Sequence, residues 1–205
     1  MSGVESLRLY CRLMEEIKAR QKAIRLIVGR SVTLCTKFNI ESIYLQIRKI
    51  LELIALGSLV ANKKKYSEIH EKFQSHYNAK LIINDIEKIN PKFYPRPIAI
   101  RKSDEPGVKD NWDDLRDNYL TKINFIKLYE RCGSLMHSEN PYGKSKNIDY
   151  YRNNVDISLK KITTLLNKHI VYLLDSKIYL IQMGIWDAPV TGYIFEKIDH
   201  INKNS

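Results

Sequence analysis

Apolar side chains recur at helical spacing through the first ninety residues. Residues 3–27 and 41–61 show the i, i+3, i+4, i+7 recurrence that is typical of amphipathic helices, and residues 66–90 repeat it in one or two further helices. The pattern places Asn39 as the N-cap of the second helix and Ser67 as a cap in the third segment. The segment 41–61 is apolar around most of its circumference, so we expect it to be the central helix.

Prolines and turn residues interrupt the helical pattern after residue 90. Three prolines between 91 and 97 predict extended chain, because proline fixes φ and cannot continue a helix, and residues 98–100 predict a short strand. Aspartates 110, 113, 114 and 117 then recur at helical spacing. This spacing predicts the start of a helix, where carboxylates suit the positive end of the dipole. The alternative is a divalent-cation site, which no neighbouring His or second carboxylate motif supports.

The second half of the chain contains two more predicted helices and a hairpin. Thr121 is placed as the N-cap of a helix that Asn140-Pro141 ends, and a further helix runs from Asp149 to about Leu174. Residues 178–183 and 193–195 are rich in β-branched and aromatic residues and are separated by Pro189 and Gly192, which predicts a hairpin. The fold expected from these patterns is mainly α.

Length and connectivity favour one domain. A chain of 205 residues can bury a substantial core, and it contains no internal repeat or low-complexity segment. We therefore expect a single domain over residues 1–205, a helical bundle with a small C-terminal β-hairpin at about 176–198.

The net charge favours a polyanionic partner. Lys and Arg number 34 against 23 Asp and Glu, which gives a formal charge of +11. Such a balance is typical of proteins that bind RNA or DNA. The alternative is that surface lysines only maintain solubility, since they are spread along the chain.

Composition also predicts the compartment. No apolar run reaches the ~18 residues needed to span a bilayer, and no secretory signal opens the chain. The three cysteines are odd in number and widely scattered, which fits reduced thiols better than a disulfide framework. We expect a cytoplasmic protein that does not contact a membrane.

Two charged residues interrupt the predicted central helix. Arg48 and Glu52 lie one turn apart among apolar positions, where charged groups are costly unless paired. They either pair with each other, or Glu52 reaches an arginine on a neighbouring helix and supports it.

The segment from Lys127 to Gly143 combines an arginine, a histidine and a helix end. Arg131 lies in the last turns of a predicted helix and His137 lies near its end, followed by a polar turn with Asn140. Helix ends leave backbone groups unpaired and usually face solvent, so a titratable ring there can reach a substrate. Arginine can bind a phosphate in a bidentate manner, and a histidine near neutral pKa can move a proton.

The spacing of Arg131 and His137 resembles the Arg-x(4-6)-His motif of the HEPN superfamily, a group of small α-helical proteins of which many are metal-independent ribonucleases. The resemblance covers this motif and its helical surroundings. It implies a HEPN-like helical bundle and RNA cleavage without cofactor or metal, with Arg131 and His137 catalytic. It further implies a toxin or phage-defence effector, which could have an antitoxin or regulatory partner. The supporting residues expected around the pair are Glu52, Arg48, Ser134 and Asn140, and the expected nucleic-acid contacts are Tyr142, Lys144 and Lys146.

Helix geometry limits how one chain can use this pair. Six residues at ~100° each separate Arg131 and His137 by about 120° on a straight helix. Either Gly133 loosens the last turns, or two chains place their motifs face to face. We expect the second arrangement, a homodimer with a composite site, as is common in HEPN enzymes.

Two other functions remain open from the sequence. One is a non-catalytic module that binds nucleic acid, in which Cys132, standing where many HEPN nucleases have Asn or Asp, marks the loss of chemistry. The other is a small helical protein-interaction module whose positive charge is incidental.

Overall fold

The computed structural model describes residues 3–29, 37–69, 78–184 and 187–196. Within them, seven helices and five strands form a mixed α and β fold. The helices are α1 (Gly3–Gly29), α2 (Lys37–Ala61), α3 (Lys63–Ile69), α4 (Ala79–Ile89), α5 (Lys122–Met136), α6 (Ile148–Asn153) and α7 (Val155–Leu166). The strands are β1 (Arg96–Lys102), β2 (Asp110–Asp114), β3 (Lys168–Tyr172), β4 (Lys177–Gln182) and β5 (Thr191–Glu196).

The expected mainly α bundle with a small C-terminal hairpin is wrong. The strands form one five-stranded antiparallel sheet in the order β2-β1-β3-β4-β5. The predicted hairpin is present as β4 and β5, but it is only two strands of this larger sheet. The short strand predicted at 98–100 is also present, within the longer β1.

Two predicted helical stretches contain strands instead. The aspartates at 110–114 lie on β2, where Asp113 pairs with Arg101 and Asp114 pairs with Arg96 across the hairpin. Cross-strand ion pairs therefore account for two of the four aspartates, Asp113 and Asp114. The helix expected over 149–174 ends at Leu166, and the following β3 pairs with both β1 and β4.

Helix starts were predicted with mixed success. The side chain of Thr121 caps α5 by accepting from the backbone N–H of Asn124, as expected. Asn39 lies inside α2, which begins two residues earlier. Ser67 lies inside α3, where its hydroxyl donates to the carbonyl of Lys64 at 3.0 Å.

The main core lies between the helices and one face of the sheet. The central helix is α2, as expected, and thirteen of its residues are buried. Helix α1 packs on α2 and reaches β5, where a Cβ on Gly192 would lie 2.8 Å from the Sγ of Cys11. Only glycine allows this approach of α1 to the strand.

The other face of the sheet holds a small second core. Ile98, Ile170 and Leu180 are buried there, from β1, β3 and β4. The rings of Trp112 on β2 and Phe195 on β5 meet edge to face, with centroids 5.0 Å apart. Since β2 and β5 are the two ends of the strand order, the sheet must curl until its outer strands touch.

Across the described ranges, no helix combines the length and apolarity that would be needed to cross a membrane.

Candidate functional site

Helix α5 presents the Arg131 and His137 pair. Its buried side chains recur at helical spacing and face α2, and they are Phe125, Leu128, Tyr129, Cys132 and Leu135. Arg131 is half-buried at the edge of this face. The helix ends at Met136, and His137 follows as an exposed C-cap with extended backbone, φ −74° and ψ 141°.

The guanidinium of Arg131 stacks on an aromatic cluster. Its carbon lies 5.1 Å from the ring centroid of Tyr150 on α6, a cation–π contact. Tyr150 meets Tyr151 edge to face, and Tyr151 meets Tyr44 of α2 in the same way. The hydroxyl of Tyr44 donates to the carbonyl of Tyr151 at 3.0 Å, which fixes α6 against α2.

Burial and the charge of Arg131 have opposite effects on the pKa values of the neighbouring tyrosines. Burial raises the pKa of Tyr44, while the positive charge of Arg131 acts in the opposite direction on the pKa of both Tyr44 and Tyr151. Among the described residues, no carboxylate lies within ion-pair distance of the Arg131 guanidinium. A cation–π contact uses no N–H donor, so the N–H donors of Arg131 remain available to an anion.

Glu52 pairs with Arg48 rather than with Arg131. The Nε of Arg48 donates to Glu52 at 3.2 Å and Nη2 donates to the hydroxyl of Tyr129 at 2.8 Å, while the guanidinium lies over the Tyr129 ring. Lys49 also contacts Glu52. This is the first of the two arrangements that the sequence left open, and it gives Arg48 and Glu52 a part in joining α2 to α5.

Gly133 has a packing role in α5. The helix continues through it to Met136, so Gly133 does not loosen the last turns. A Cβ at this position would lie 3.1 Å from Nη1 of Arg48. The glycine therefore makes room for the Arg48 guanidinium.

Cys132 faces the core. It is fully buried, and burial raises the pKa of its thiol to about 12. The side chain of the residue after Arg131 therefore points into the core rather than toward solvent.

The segment after His137 forms a turn that is held by hydrogen bonds and an ion pair. The carbonyl of Asn140 accepts from the N–H of Gly143 at 2.8 Å, and its side-chain Oδ1 accepts from the N–H of Tyr142 at 3.0 Å. Glu139 pairs with Lys37 at 2.8 Å, and this contact lowers the pKa of the Glu139 carboxyl. The turn is thereby held against the start of α2.

Lys146 closes the end of α5. Its Nζ donates to the carbonyl of Leu135 at 3.0 Å and also to that of His137. These bonds satisfy carbonyls that the helix end leaves unpaired. Lys146, expected to contact phosphate, is thus engaged within the protein, whereas Lys144 and Tyr142 are exposed.

The predicted residues divide into two groups. His137, Asn140, Tyr142 and Lys144 lie on or beside one turn, and Ser134 lies on the exposed side of α5, where its hydroxyl donates to the carbonyl of Glu130. Arg48 and Glu52 form a separate pair against Tyr129. Tyr150 was not among the residues expected from the sequence, although the adjacent tyrosines 150 and 151 just after the basic loop were a visible signal.

No family model, curated protein or solved structure matches this chain. The resemblance to HEPN proteins therefore rests on the motif alone.

Proposed function

We propose that this protein is a metal-independent endoribonuclease in which Arg131 binds the phosphate and His137 moves the proton. The observation that supports this most directly is the state of Arg131. Its guanidinium is stacked on Tyr150 and has no carboxylate partner among the described residues, so it is oriented and available to an anion. An exposed histidine follows on the same helix end.

The chemistry requires a base and an anion-binding group. His137 takes the proton from a ribose 2′-hydroxyl, whose oxygen then bonds to the adjacent phosphorus while the bond from phosphorus to the 5′-oxygen breaks. The departing 5′-oxygen takes a proton, and the products are a cyclic phosphate and a 5′-hydroxyl. Arg131 stabilises the negative charge on the phosphate oxygens as the new bond forms. DNA lacks the 2′-hydroxyl and is not cleaved.

The proposal includes a homodimer. Six residues separate Arg131 from His137, which corresponds to about 9 Å along a helix axis. The side chains also leave the backbone in different directions, since His137 is no longer helical. A second copy that places its own motif opposite allows Arg131 of one chain and His137 of the other to reach the same phosphate.

The setting we propose is the cytoplasm, where RNA is available and the scattered cysteines remain reduced. An effector that cleaves cellular RNA is held in check by an antitoxin or another regulatory partner. Expression of the wild-type chain is expected to arrest growth, and expression of His137→Ala is not. Normal growth with both chains at equal protein levels would count against a toxin.

Cleavage of labelled RNA in the presence of EDTA tests the reaction. We expect the wild-type protein to leave cyclic-phosphate ends, and both Arg131→Ala and His137→Ala to abolish cleavage. Arg12→Ala is the matched control, because Arg12 is an exposed arginine on α1, outside the proposed site. Retained cleavage in either site variant would refute the assignment. RNA binding without any cleavage by the wild type would instead identify a non-catalytic binding module.

Mixing the two inactive variants tests the composite site. If each site takes Arg131 from one chain and His137 from the other, mixed dimers of Arg131→Ala with His137→Ala contain one intact site. Random exchange of subunits should then restore about a quarter of the wild-type activity. No recovery in a sample shown to contain mixed dimers would refute the shared site.

A further inference from the structure

Tyr142 is presented to solvent on a structured turn. It is 97% exposed, more than any other large hydrophobic residue in the described part of the chain. An exposed tyrosine presents an open ring face on which another flat π-system can stack.

The turn fixes the backbone that carries this ring. Asn140 accepts backbone hydrogen bonds from both Tyr142 and Gly143, and the segment is held on one side by Glu139 with Lys37 and on the other by Lys146. A ring on an already ordered turn loses little conformational entropy on binding.

The groups around Tyr142 suit a nucleotide. Lys144 is exposed two residues further on, and His137 is exposed five residues before it. A base can stack on an aromatic ring while a nearby lysine contacts its phosphate.

We propose that Tyr142 stacks with an unpaired base, so that the site takes single-stranded RNA and rejects duplex. This inference rests on the proposed function and specifies its substrate. In a duplex, both faces of each base are covered by neighbouring base pairs, so a protruding ring has no base to stack on. In a single strand the base next to the cleaved phosphate is free to do so.

Binding can be measured separately from cleavage in a His137→Ala background. The probe is a short RNA containing 2-aminopurine, whose fluorescence falls on stacking, used either alone or annealed to its complement. We expect the single strand to bind with quenching and the duplex to bind more weakly. Adding Tyr142→Ala should weaken single-strand binding about tenfold or more and remove the quenching, while Tyr142→Phe should preserve both, because stacking needs only the ring.

A matched control is Tyr193→Ala, since Tyr193 is 48% exposed on β5, away from the turn. It should leave binding unchanged. Equal binding by Tyr142→Ala and its parent, or equal binding of duplex and single strand, would overturn the inference.

The two proposals fail in different ways. If the single strand binds through Tyr142 but the wild-type protein never cleaves it, the stacking site stands and the nuclease proposal fails. If the wild type cleaves RNA, but Tyr142→Ala cleaves single strand and duplex as the wild type does, the nuclease stands and the stacking site fails. No binding of either RNA at low salt would overturn both.

Discussion

His169 makes the stability of this fold dependent on pH. It is fully buried on β3, where its Nδ1 donates to the carbonyl of Leu166 at 2.8 Å and its Nε2 accepts from the hydroxyl of Tyr10 at 2.9 Å. This pattern requires a neutral ring. Burial lowers the pKa of His169 from 6.5 to about 4.

The magnitude follows from the difference between folded and unfolded chains. Above pH 6.5 the ring is neutral in both states, and the full stability is present. As the pH falls below 6.5, the unfolded chain binds a proton that the folded protein does not, so the free energy of unfolding decreases until the folded pKa is reached near pH 4. An interval of roughly 2.5 pH units at 1.36 kcal/mol per unit corresponds to a loss of about 3 kcal/mol.

Comparison of the wild type with His169→Gln isolates this loss. Urea unfolding followed by far-UV circular dichroism at several values between pH 7.5 and pH 4 gives the free energy of unfolding of each protein. Glutamine does not titrate, so the variant should be less stable at pH 7.5 and should lose about 3 kcal/mol less on acidification. Carboxylates contribute equally to both proteins and cancel. Parallel curves for the two proteins would refute the reasoning.

Three further substitutions test the packing and the site. Gly192→Val should destabilise the protein by about 1–3 kcal/mol in urea unfolding, because the new side chain separates α1 from β5. The control is Gly29→Val, where a Cβ meets open space. An equal effect of both substitutions would contradict the packing argument. Glu52→Gln should lower thermal stability but leave RNA cleavage per folded molecule unchanged, because Glu52 pairs with Arg48. A specific loss of cleavage would show that Glu52 takes part in the site. Tyr150→Leu should lower kcat for RNA cleavage about tenfold or more, while the kcat of Tyr150→Phe should stay near that of the wild type. Equal kcat values for Tyr150→Leu and the wild type would show that the contact with Tyr150 does not position Arg131.

Local signals in the sequence predicted α5 well. Helix α5 begins after Thr121 and ends before the Asn140-Pro141 stop because both signals act within a few residues. The sheet depends on distant partners. Residues 168–172 continue the apolar spacing of α7, but pairing with β1 and β4 makes them a strand. A pattern read along one segment cannot include those partners.

In the candidate site, too, the local features could be predicted from the sequence and the contacts between distant segments could not. The spacing of Arg131 and His137 is visible in the sequence, and so are the exposed residues of the turn. The stacking of Arg131 on Tyr150 joins α5 to α6 and depends on how α2 holds α6 through Tyr44. Such a contact follows from packing between helices, which residue spacing does not specify.

The position of α1 has a consequence for synthesis of the protein. Helix α1 completes its packing against residues in the last third of the chain. The Tyr10 hydroxyl hydrogen-bonds to His169, and the carbonyl of Gly3 accepts from the Tyr179 hydroxyl. The helix also packs closely on Gly192 of β5. The part of α1 that makes these contacts is therefore completed only after about 160 to 185 further residues have left the ribosome. A nascent chain packs α1 on α2 early but leaves the side of α1 that faces the sheet exposed until β5 has been made, so chaperones that recognise unburied apolar surface should associate with this protein up to that point.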